Sequence, residues 1–194
     1  MTDLFDAPDD ATPLAPDECR GLLLSAIAFR HELNRAEPDN IRRAQEWPLS
    51  RRRPLLSEPF VRQRHPQMFG DVWRWAGAFR TTERNIGIPF YEIPVALRQL
   101  LADAEAWITH AVYSPDEAAV RVHHRLVQIH PFPNGNGRHA RLLADLLVMH
   151  LGGARFTWGS ARLEDAGEVR RRYIEALRAA DQHDLAPLVA FARS

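Results

Sequence analysis

The stretch His130-Pro131-Phe132-Pro133-Asn134-Gly135-Asn136-Gly137-Arg138-His139-Ala140-Arg141 decides how this sequence is read. It stands between two segments with helical apolar periodicity, near 114–129 and 138–151, and its composition is wrong for a plain linker. Gly135 and Gly137 allow close backbone turns at the mouth of the helix opening near Arg138. A helix N-terminus presents unpaired N–H groups and the positive end of the macrodipole, so it attracts an anion. Arg138 and Arg141, spaced i,i+3, lie on one helix face beside that mouth. A polyphosphate is the natural occupant. His130, eight residues before Arg138, is placed to work as a base beside bound phosphates. Each piece alone has a plainer reading: a structural histidine, a Gly-Asn-Gly turn, a solvated arginine face. Their conjunction within twelve residues favours a functional site.

Working outward, Ser114-Pro115 opens the preceding helix, and another helix is expected from Pro94 to Val112. Upstream, Ser57-Glu58-Pro59 supplies an N-cap and an early proline for a helix carrying Phe60, Met68, Phe69, Val72, Trp73 and Trp75. That helix is expected to stop at Gly77, with a break at Pro66. Between Phe79 and Ile93, strand-like residues around Asn85-Ile86-Gly87 predict a β-hairpin. At the N-terminal side, Leu22, Leu23, Ala26, Ile27, Phe29 and Leu33 repeat near 3.6 and predict a helix over 17–37, with a short second one over 40–47. Two further helices are expected near 160–181 and 184–192. The fold class is all-α, a helical bundle with one small β-hairpin.

Length and charge bound the rest. The 194 residues favour one domain over 17–194, with an N-terminal helical extension and a disordered acidic tail over 1–16. Residues 1–18 hold six acids and no base, leaving 25 basic against 19 acidic residues in the remainder. Every basic residue is arginine, which excludes a Walker-type lysine and Schiff-base chemistry. No apolar run approaches the roughly 20 residues of a membrane-spanning helix. Met1-Thr2-Asp3 does not begin a signal peptide, and the lone Cys19 offers no disulfide framework, so a cytoplasmic protein is expected. His123 and His124 lack a third ligand at metal spacing. The arginine runs 51–53 and 170–172 lack interleaved aromatics, so nucleic acid is disfavoured as a partner.

HPFPNGNGRHAR resembles the signature of Fic/Doc-family proteins, HPFx[D/E]GNGRxxR. FGDVWRWAGAFR at 69–80 is similar to the upstream part of the Fic domain, and the whole chain is most like the subfamily called mobile mystery protein B. The resemblance implies a Fic-type helical bundle and transfer of AMP from ATP to a hydroxyl side chain of a protein target. In that scheme His130 deprotonates the target hydroxyl. Gly135, Asn136, Gly137 and Arg138 hold phosphates, Arg141 reaches the terminal phosphate, and Phe132 anchors the loop. The hairpin around Arg84, Asn85, Ile86, Gly87 and Ile88 corresponds to a flap that docks the target chain.

Asn134 departs from the pattern, because the family places there a carboxylate that coordinates Mg2+. An amide oxygen brings no formal charge, so a weakened metal site is expected. This keeps a nucleotide-binding module without turnover, and transfer of another phosphate-containing group by a toxin-like module, as alternatives. Glu32 is the candidate for the family's inhibitory glutamate, although Ala28 and Leu33 break that pattern. An inhibitory or antitoxin-like partner and a homo-oligomer are compatible with the resemblance.

Overall fold

A computed structural model describes residues 20–23, 54–160 and 166–194. Of the helix expected over 17–37, residues 20–23 are described and form a turn and a bridge to Trp73 rather than helix. The acidic tail, the rest of that helix, the one over 40–47 and Glu32 lie outside the described residues. Those described form six α-helices: α1 (Glu58–Phe69), α2 (Ile93–Thr109), α3 (Pro115–Ile129), α4 (Asn136–His150), α5 (Ala166–Asp181) and α6 (Ala186–Arg193). The fold is all-α, as the periodicities require.

Local signals set the boundaries. Ser57 caps α1, its hydroxyl accepting the Phe60 N–H at 3.4 Å, and Ser114 caps α3 through the Glu117 N–H at 3.3 Å. Pro66 lies inside α1, which continues through it and ends at Gly70, earlier than the expected stop at Gly77. Helix α4 begins at Asn136, two residues ahead of expectation, so Asn136 and Gly137 are themselves helical.

Helices α3 and α4 form the central pair. α2 packs on α3, α1 packs on α4 and α2, and α5 with α6 closes the far side through α6 against α3. Leu126, Ile129, Leu143, Leu146 and Leu147 are buried between these layers. Burying each side chain contributes roughly 1.5–3 kcal/mol, which fixes the two ends of the loop that joins α3 to α4.

The segment expected to form a hairpin differs. Among the described residues, 79–89 contain no paired strands, and the β-type pairing present is an isolated antiparallel bridge between Leu22 and Trp73. The reason is a competing donor. The Arg80 guanidinium takes the carbonyls of Thr82 and Ile88, which a hairpin would have offered to a neighbouring strand. The flap is a loop, ending in a 3₁₀ turn over Phe90–Glu92.

Candidate active site

The loop from α3 to α4 is held at three points. His130 ends α3 in a left-handed conformation, φ 53°, with its N–H donating to Leu126 O at 3.0 Å. Phe132 is completely buried, its ring centroid 3.9 Å from that of His65 and 5.0 Å from that of His139. Asn136 closes the loop on itself. Its Oδ1 accepts the Phe132 N–H at 2.9 Å and its Nδ2 donates to Phe132 O at 2.7 Å.

His65, on α1, fixes the turn from the other side. The Gly77 N–H donates to Nδ1 at 3.1 Å, so Nε2 carries the proton and donates to Asn134 O at 3.0 Å. Both nitrogens are committed in the neutral ring, and burial holds its pKa well below the usual histidine value. His139 donates from Nε2 to Val61 O at 2.9 Å, and burial lowers its pKa to about 4. Nothing in the sequence signals His65. Its partners lie 12 and 69 residues away.

Gly135 is the N-cap of α4 at φ 78°, and a Cβ there would meet the Phe69 ring at 2.6 Å. Only glycine fits this position. No side chain caps the first N–H groups of α4, and a helix end of this kind attracts an anion. The Asn136 side chain points inward, leaving its backbone N–H as the group on offer. Asn134 Oδ1 accepts the Gly135 N–H at 2.5 Å.

Arg138 and Arg141 leave α4 on the same side and line one cavity of about 290 Å3 with Asp145, Arg155 and Trp158. Arg138 lies over the Phe69 ring at 4.8 Å. Arg141 lies over the Tyr173 ring at 5.1 Å, and its Nε donates to Gly137 O at 3.3 Å. Asp145, four residues after Arg141 on α4, accepts Trp158 Nε1 at 2.8 Å and Arg155 Nε at 3.0 Å. Burial raises the Asp145 pKa against the pull of these donors. Three guanidinium groups around one carboxylate leave the cavity net cationic.

His130 is not part of that lining. It sits at the far end of the loop, 5% exposed, under the flap. A Cβ on Gly87 would come within 2.7 Å of His130 Cβ. Burial pushes the His130 pKa down to about 4 against a hydrogen bond to the Val127 backbone, and the charges of Arg80 and Arg84 push the same way as burial. The imidazole is therefore neutral at pH 7 and able to accept a proton. The structure thus brings Gly135, Asn136, Gly137, Arg138 and Arg141 together at the head of α4. It places Gly87 against His130 and ties Ile88 to the same region through Arg80. His123 hydrogen-bonds Tyr173 Oη through Nε2 at 3.1 Å, and His124 pairs with Asp181 at 2.8 Å.

Comparison with known proteins finds the same fold elsewhere. The chain is 34% identical over 119 residues to "Protein adenylyltransferase fic-1" of Caenorhabditis briggsae, a stretch that is 60% of this chain and 22% of that relative. A solved structure of Fic-1 from C. elegans superposes with a TM-score of 0.68 at 27% identity, covering 93% of this chain and 54% of the other. The BepC protein of Bartonella tribocorum, solved with bound AMPPNP, shares the fold at a TM-score of 0.66 and 18% identity, covering 92% and 97%. The chain thus spans about a fifth of the length of the curated relative and about half of the Fic-1 structure. The Fic/DOC family model matches residues 55–148, from just before α1 through most of α4, and that part of the chain is therefore a domain of the Fic/DOC family.

Proposed function

We propose that this protein is an adenylyltransferase that moves AMP from ATP to a hydroxyl side chain of a target protein. The observation that carries the reading is a neutral, buried His130 joined by five residues to the uncapped head of α4, whose first turns also supply Arg138 and Arg141. Phosphates lie along that head, with the α-phosphate toward His130 and the terminal phosphate toward Arg141. His130 accepts the proton of the target hydroxyl as its oxygen attacks the α-phosphorus. The bond to the bridging oxygen breaks, and pyrophosphate leaves with its charge held by the arginines and backbone N–H groups. The phosphates themselves assist the base. Negative charge beside His130 favours the imidazolium and raises its pKa from about 4 toward the range useful at neutral pH. The curated relative named as a protein adenylyltransferase supports the same chemistry.

Mg2+ is the metal such a reaction would bring. Asn134 Oδ1 is the motif's side-chain oxygen for it, but that atom is neutral and already accepts the Gly135 N–H. No group of three or more acidic, histidine or cysteine side chains able to hold a metal occurs among the described residues. These residues do not fit a metal held by the protein itself, so the steps above run through arginine, backbone and histidine. The same neutral amide favours a second reading, nucleotide binding without transfer. Incubation of the protein with acceptor proteins and ATP labelled at the α or γ phosphate distinguishes them. Label retained on protein from α alone supports adenylylation. Label from γ alone means phosphorylation, and ATP binding with neither means a binding module.

A further inference from the structure

Arg80 is the second largest side chain completely buried among the described residues, and it sits in a segment for which sequence reading found no individual role. Its guanidinium fork is spent on main-chain carbonyls. Nε donates to His130 O at 2.7 Å, Nη1 to Thr82 O at 3.0 Å, and Nη2 to Ile88 O, with a longer contact to Ile129 O at 3.4 Å. Its own N–H donates to Pro131 O at 2.9 Å. Glu83 is 3.8 Å away but 60% exposed, so it neutralises little of the buried charge. A buried cation whose donors are all turned onto carbonyls is costly for stability alone, since apolar packing would do as well. Arranged on carbonyls from two separate segments, it does something apolar packing cannot.

We propose that Arg80 is a positioning residue that clamps the flap, through Thr82 and Ile88, onto the backbone of His130 and so sets the base and the target-docking loop as one unit. This rests on His130 being the base. Three features support it. The left-handed His130 is a strained conformation for a side-chain-bearing residue, and its carbonyl accepts Arg80 Nε at 2.7 Å. Gly87 lies at φ 104° directly between Arg80 Nη2 and His130 Cβ, so flap, clamp and base meet at one point. Bridging carbonyls on both sides needs a planar fork with several fixed donors, which lysine does not have. The Arg80 charge also helps to keep the His130 ring neutral.

The test uses Arg80→Lys and, separately, Gly87→Ala, each in the full chain beside His130→Ala. Gly87 is exposed and outside the helices, so its variant leaves Arg80 and the core in place, while its new Cβ would strike both the clamp and His130. Three quantities are read: kcat and KM for ATP in the transfer assay, and the His130 titration followed by NMR of 13C-labelled histidine. The expected result is a kcat lowered roughly tenfold or more, with KM for ATP within about twofold, and a His130 titration moved to higher pH. If His130→Ala abolishes transfer while both variants keep the wild-type kcat and titration, the clamp is refuted and the transferase reading stands. If His130→Ala transfers at full rate, the transferase reading fails, and the titration still decides whether Arg80 holds the ring. An unmoved titration in both variants overturns the inference.

Discussion

Lowering the pH from 8 to 5 puts protons on histidines that this fold keeps neutral, and the consequence for stability follows from their surroundings. In the folded chain His130 and His139 titrate near 4, against 6.5 for the exposed group. The unfolded chain therefore takes up these protons first. Stability is undiminished above about pH 6.5, declines as the pH falls through the window between 6.5 and 4, and levels off below it. At pH 5 the difference in proton uptake costs about 2 kcal/mol for each group, or about 4 kcal/mol together. Against a total stability of roughly 5–15 kcal/mol this is a large fraction. His65 and His123, lowered further by burial, act in the same direction. Urea unfolding measured every half unit of pH gives the curve, and His139→Gln isolates one contribution. Glutamine can still donate an N–H to Val61 O, so this variant should lose some packing stability at pH 8 but fall less steeply, closing the gap by about 2 kcal/mol at pH 5. Parallel curves for wild type and His139→Gln would refute the reasoning, as would a wild-type midpoint that does not move between pH 8 and 5.

Other consequences concern the phosphate site. Arg138→Ala removes a charge-assisted contact worth roughly 1.5–3 kcal/mol, so the Kd for ATP should rise by about one to two orders of magnitude in calorimetry. Gly135→Ala forces a Cβ into the Phe69 ring at a positive φ and should lower both the melting temperature and ATP affinity, readable by thermal shift with and without nucleotide. Asn134→Asp adds a charge beside the phosphates. Where the protein holds no metal of its own, ATP binding should weaken at every Mg2+ concentration, whereas a several-fold fall in half-saturating Mg2+ would contradict that reading of Asn134.

The sequence carried much of this architecture because its signals are local. Ser57 and Ser114 cap helices three residues away, and the 3.6-residue repeats on α3 and α4 determine which sides meet. The loop between them was legible for the same reason, since its glycines, arginines and histidine are contiguous. What escaped depends on contacts across long separations. His65 reaches Asn134 across 69 residues, Arg80 reaches His130 across 50, and Tyr173 reaches His123 across 50. No pattern of spacing announces such partners. The mistaken hairpin has that origin too. Residues 79–89 have strand-like composition, but one buried arginine takes the carbonyls that strand pairing would have used.

The most direct test of the account is transfer of α-labelled AMP by wild type and His130→Ala, measured with the Kd for ATP of each. In the proposed reaction His130 acts on the incoming hydroxyl, while nucleotide is held by the head of α4 with Arg138 and Arg141, so the two quantities should separate. Transfer should fall at least a hundredfold, on the order of the contribution of a general base, while the Kd stays within about twofold. Transfer at the wild-type rate by folded His130→Ala would contradict the account.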